Sequence, residues 1–242
     1  MCGRFTLAID GDGLLRSYVA TGRDGVEEWG EVYSVSPRTR APVVREYFDE
    51  NGEIHRAAGL ARWGFQPAWA KEKGPRPINA RFETVAANGM FRGAFTSSRA
   101  VVPMTGYFEW VETETGKQPY FIHHPDGALL HAAGLTAARK VEDPEGGEPA
   151  WDMSFTIITR EARDASGEVH DRMPVFLTEE TWPEWIAPGK LDADAKEHLH
   201  DLLEDSSTQL ATQLVTDPVS RRVNNNRTLT RTDPTLIEPI EL

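Results

Sequence analysis

Cysteine is almost absent from this chain: Cys2 is the single one in 242 residues. No intramolecular disulfide can form, which fits a reducing compartment. No C-x-x-C pair exists, His123 and His124 are adjacent, and His198 and His200 lie two apart. That spacing does not suit a structural metal site, so neither a metal nor a cofactor is expected. Long apolar runs are also missing, and nothing in the sequence reads as a membrane span. The opening MCGRFTLAID lacks a basic stretch followed by an apolar one, so it does not read as a secretory signal, and a cytoplasmic location is expected. Basic residues are scarce: 26 Lys and Arg face 38 Asp and Glu, a formal net charge of −12. Taken globally, that charge argues against a nucleic-acid partner.

The distribution of charge reverses that reading. Residues 54–108 hold eight Lys/Arg and two acids, Glu72 and Glu83. Residues 218–231 add Arg221, Arg222, Arg227 and Arg231 with no acid, whereas 178–205 hold nine acids and two lysines. A local field steers a ligand more than net charge does, so one face can still receive an anionic polymer. Arginine outnumbers lysine 20 to 6. Arginine suits bidentate phosphate contacts, although a skewed codon composition gives the same bias.

Hydrophobic content of 39% and charged content of 26% are those of an ordinary globular chain. No repeat, low-complexity tract or long linker divides it, so one domain over 1–242 is expected. Residues 12–20 carry apolar positions at helical spacing. Strand candidates fall at 42–48, 54–65, 100–111, 118–123, 128–134, 154–159 and 173–177. The stretch QPAWAKEKGPRPINAR (66–81) reads as an exposed functional loop. Residues 141–152 read as a hairpin-like insertion, and the acidic segments 179–187 and 192–205 as solvated helices. The sum is an α+β, strand-rich single domain with helices at its margins.

Cys2 is the first residue with evident chemistry. Removal of Met1 leaves a free α-amine and a thiol on one residue, titrating near ~7.7–8.0 and ~8.5. Such a 1,2-aminothiol condenses with an aldehyde: the amine forms a Schiff base, then the thiolate closes a thiazolidine ring. A small apolar residue packed near the terminus is the plain alternative. Glu109, in an apolar-aromatic strand, is a candidate general acid/base through desolvation, or a strand carboxylate paired with an arginine. His170 can titrate near neutrality, or cap a turn beside Asp171. Asn79 can orient an amine, or serve a turn after Pro77. Trp63, Trp69 and Trp110 interleave with Arg62, Arg76 and Arg81, as in single-strand binding grooves. Trp63 reads as core, and Trp69 as exposed and able to stack on a base.

Five segments occur in order: MCGRF at the start, NARFET at 79–84, GYFEW at 106–110, HDRMPV at 170–175 and VSRRVNN at 219–225. Together they resemble the SRAP family (SOS response-associated peptidase), the abasic-site processing proteins, over nearly the whole chain. The resemblance implies a core of antiparallel sheets forming an open barrel. It implies a DNA-repair enzyme that binds abasic sites in single-stranded DNA, crosslinks to them through a thiazolidine at Cys2, and removes its own Met1 in a peptidase-like step, with lyase activity also in view. Asn79, Glu109 and His170 match the family's other active-site positions, and Arg4, Arg81 and Arg172 match positions that hold DNA phosphates. A monomer, associated with the nucleoid when on DNA, is expected. The chain departs from the family at YSVSP, where Ser34 replaces the usual asparagine, and in its C-terminal segment. Two other readings remain open at this point: an N-terminal-nucleophile hydrolase using Cys2, and a non-catalytic single-strand binding module.

Overall fold

The strand candidates pair into two sheets. The structure, a computed structural model, describes residues 3–142 and 149–242. In the smaller sheet five strands lie in the order Val215–Pro218, Gly116–His123, Gly106–Thr113, Phe5–Leu7, Val32–Val35, all antiparallel. The larger sheet runs Arg172–Pro174, Ala150–Glu161, Leu130–Val141, Arg99–Met104, Arg40–Phe48, Ile54–Trp63, Thr21–Arg23. A short parallel contact, Ser154 to Arg62 and Phe155 to Trp63, joins Ala150–Glu161 back to Ile54–Trp63. The strand-rich α+β fold and its barrel-like core are thus as expected, and this contact completes a five-strand circuit. Two other pairings are parallel as well, Asn79–Arg81 on Ala150–Glu161 and Thr21–Arg23 on Ile54–Trp63.

Side chains of successive strand residues point to opposite faces, and Tyr107 and Phe108 show the result. Tyr107 joins the main core with Phe5, Leu7, Trp63 and Phe155. Phe108 joins a second cluster with Phe121, Val219, Val223 and Leu236. The smaller sheet is therefore packed on the barrel by one face and covered by the C-terminal segment on the other. Phe5 meets Trp63 edge-on at 5.1 Å, and Trp63 stacks on Phe155 at 6.1 Å, so the two sheets share one aromatic column.

Several sequence expectations are corrected. The apolar run 100–111 is not one strand: Arg99–Met104 belongs to the larger sheet and Gly106–Thr113 to the smaller. The chain changes sheets at Thr105, next to Gly106, where a Cβ would lie 2.3 Å from the Phe121 ring. The segment 179–187 is not a solvated helix. Only Trp182–Ile186 is helical, and it buries Trp182, Trp185 and Ile186. The other acidic helix, Ala193–Ala211, starts at Asp192, whose side chain accepts from Ala195 N–H, and runs past 205 because Leu203, Ser206, Ser207 and Ala211 are buried. The first helix is Gly11–Tyr18, capped by Asp10. The arms Leu130–Val141 and Ala150–Glu161 pair as far as Val141 with Ala150; positions 143–148 of the expected insertion lie outside the described residues.

Candidate active site

One strand end gathers segments distant in sequence. On one side of Ala150–Glu161, Asn79, Ala80 and Arg81 pair with Ile157, Ile158 and Thr159. On the other, Pro174, Met173 and Arg172 pair with Thr159, Arg160 and Glu161. The NARFET and HDRMPV segments therefore meet on opposite sides of Thr159, and His170 enters just before its strand.

Glu109 reaches this place from the smaller sheet. It follows Tyr107 on the face that packs against the barrel, and only 2% of it is exposed. Burial pushes its pKa up to about 7, with a further rise from the Asp171 carboxylate. Glu109 Oε2 lies 3.9 Å from His170 Nε2. The His170 pKa is held below its ordinary value by burial, against the opposing pull of Asp171. The Arg172 backbone N–H donates to His170 Nδ1 at 2.9 Å. Nδ1 then acts as acceptor, so in the neutral ring the proton sits on Nε2, on the Glu109 side.

The N-terminal strand leads to the same spot. Phe5 pairs with Tyr107 and Thr6 with Gly106, and Phe108 N–H donates to the Arg4 carbonyl at 2.9 Å. Continued by two residues, that antiparallel register sets Gly3 level with Glu109. Cys2 and Met1 lie outside the described residues.

The other expected site residues are distributed as follows. Asn79 and Arg81 line a groove with Arg38, Arg76, Thr84 and Met90. Arg38 sits at φ 74, a left-handed conformation unusual for a side chain larger than glycine. Its N–H donates to the Trp63 carbonyl at 2.9 Å, which fixes the turn. Trp69 is 68% exposed and, with Pro67, Arg92 and Met90, lines a second groove. Met90 belongs to both, so the two grooves adjoin. Trp63 is fully buried, its indole N–H donating to the Ile78 carbonyl. Trp110 is packed instead of free to stack, with its N–H on Asn224 Oδ1 at 2.6 Å.

Two of the expected phosphate-binding arginines are engaged within the protein. Arg4 is 6% exposed, its guanidinium 5.8 Å over the Trp110 ring, and Nη1 donates to Ser34 Oγ and to the Val223 carbonyl, both at 3.0 Å. Burial lowers its pKa to about 10. Ser34, at the departure from the family pattern, is thus a buried acceptor for Arg4. Arg172 is bidentate with Glu83, Nη1 to Oε1 at 2.6 Å and Nη2 to Oε2 at 3.1 Å, and Nη2 also donates to the Thr159 carbonyl. Sequence reasoning passed over Glu83 and Arg38. Glu83 stands inside NARFET, and its position there was the available signal.

A family model described as SOS response associated peptidase (SRAP) matches residues 1–226. The chain belongs to that family. Among its relatives is the abasic site processing protein YoqW of Bacillus subtilis (strain 168), 33% identical over 207 residues, covering 84% of this chain and 87% of the relative. The abasic site processing protein YedK of Escherichia coli (strain K12) is 32% identical over 195 residues, covering 80% of this chain and 79% of its own. A crystallised protein from Bacteroides thetaiotaomicron shares the fold, with a TM-score of 0.77 at 22% identity, over 99% of this chain and 100% of that one. Among the described residues of this SRAP chain no helix is long and apolar enough to cross a membrane, and no cluster of three His, Cys, Asp or Glu could hold a metal ion.

Proposed function

We propose that this protein processes abasic sites in single-stranded DNA by capturing the open-chain sugar aldehyde on Cys2, acting as a monomer in the cytoplasm and at the nucleoid when on DNA. The observation that carries the reading is the buried Glu109, with its pKa near 7 and His170 at 3.9 Å, at the strand position to which the N-terminal register leads. The names of the curated relatives point to the same lesion.

The chemistry balances with these groups alone. Hydrolysis of the Met1–Cys2 bond consumes one water and frees the α-amine. That amine adds to the aldehyde carbon and water leaves, giving an imine. The Cys2 thiolate then forms a C–S bond to the imine carbon while the nitrogen takes up a proton. A carboxyl near pH 7 can give and take the protons of sugar-ring opening, water loss and the reverse reaction. The Nε2–H of His170 can donate to the sugar oxygen, and Asn79 can orient the amine without changing its charge. Arg81 and Trp69 supply a phosphate contact and a stacking surface in adjoining grooves. Arg4 can act on DNA as a buried cation behind the site, and Arg172 can add its charge beside the phosphates while its fork stays on Glu83.

The test is a single-stranded oligonucleotide with one abasic site, mixed with protein whose mass shows Met1 removed and run on a denaturing gel. A shifted band is expected, absent with undamaged DNA and with Cys2→Ala. No shifted band from the processed wild type overturns the proposal. An N-terminal-nucleophile hydrolase is separated by Cys2→Ser, which can retain hydrolysis but cannot form a thiazolidine. A β-elimination product appearing with the crosslink would extend the activity to lyase chemistry.

A further inference from the structure

Two groups compete for His170 Nδ1. The Arg172 backbone N–H, at 2.9 Å, needs a lone pair there. The Asp171 carboxylate, also at 2.9 Å and on an exposed side chain, needs a proton there. The outcome decides whether Nε2 faces Glu109 with a hydrogen or with a lone pair. Arg172 is anchored by its own side chain. Its guanidinium is bidentate on Glu83 and donates to the Thr159 carbonyl, and the Arg–carboxylate fork is the most directional of the charged pairs. Glu83 in turn follows Asn79–Arg81, which is paired to Ala150–Glu161. The clamp therefore ties the Arg172 amide to the frame that holds Asn79.

We propose that Glu83 is a positioning residue: by clamping Arg172 it keeps the Arg172 amide on His170 Nδ1 and so turns the Nε2–H toward Glu109. Without the clamp, Asp171 draws the proton to Nδ1 and presents a lone pair at Nε2. This rests on the proposed function only in giving His170 a part in the reaction; the tautomer is a property of the free protein.

The experiment is nitrogen-labelled NMR of the His170 ring in DNA-free protein, wild type against Glu83→Gln and Glu83→Ala. The wild type is expected to show the Nε2–H form, and both variants a shift of population toward Nδ1–H. Glu83→Gln keeps the shape of the clamp while weakening it, so it reports even where Glu83→Ala does not fold. In the crosslinking assay the variants should lose about tenfold in rate near pH ~7, with a displaced pH profile, since a misoriented proton donor forfeits part of a general-acid contribution of ~10²–10⁴. An unchanged His170 tautomer in folded Glu83→Gln overturns the proposal. A shifted tautomer together with no crosslink from wild type would instead count against the proposed function alone.

Discussion

Glu109 carries its consequences in its protonation. The unfolded chain ionises it near the ordinary value of 4.5 and the folded protein near about 7. Between those values the folded state keeps a proton that the unfolded state releases, so stability falls as pH rises through that window. The difference corresponds to about 3 kcal/mol, reached above pH ~7. Glu109→Gln is therefore expected to be the more stable protein at about pH 8 and close to wild type below about pH 5, while losing capture activity. Urea unfolding at the two pH values checks it; a variant no more stable than wild type at the higher pH contradicts the burial argument. Ser34 offers a second residue-level test. Ser34→Ala leaves Arg4 Nη1 with the Val223 carbonyl alone. The loss of one buried acceptor for a charged donor should cost about 1–3 kcal/mol in the same measurement.

At the scale of elements, the short helices are held by a residue outside them. Buried Arg99 donates to the Phe95 and Thr96 carbonyls at the end of Arg92–Ser97 and to the Trp185 and Ala187 carbonyls at the end of Trp182–Ile186. Those are the carbonyls that a helix C-terminus leaves unsatisfied. Arg99→Met should leave buried carbonyls without a donor and cost at least about 1–3 kcal/mol, read as a lowered thermal midpoint. No periodicity in the sequence announces such a cap, because it depends on a strand residue meeting two helix ends. The same limit explains which elements were legible. The strands expected at 42–48, 54–65 and 154–159 stand out because apolar residues cluster there, the second ending at Trp63, and Trp63 and Trp69 divide correctly between core and surface by the polarity of their neighbours. The sheet change at Thr105 leaves no trace except Gly106, and Thr21–Arg23 is too short and polar to register. Of the candidate site, the motif residues could be named from the sequence, but the clamp of Glu83 on Arg172 and the contact of Ser34 with Arg4 are pairings across 89 and 30 positions.

For the molecule as a whole, charge is partitioned rather than balanced. Arg38, Arg76 and Arg81 line one groove in a protein of net charge −12. If three phosphates are neutralised there, the logarithm of single-strand affinity should fall against the logarithm of salt with a slope of about −2, and Arg81→Ala should flatten it by about 0.7. A slope near zero would remove that groove from the DNA path. Trp69→Ala should weaken binding by about 1–3 kcal/mol with the slope unchanged, because stacking carries no charge. Residues 1–242 are expected to unfold in a single transition, since one apolar cluster runs from Phe5 to Leu214.

The strand Ala150–Glu161 has neighbours on both flanks drawn from positions 54–63, 79–81, 130–141 and 172–174. Neither a fragment ending ahead of it nor one starting beyond it can bring Asn79, Glu109 and His170 together. During synthesis that arrangement has to wait until the stretch has left the ribosome.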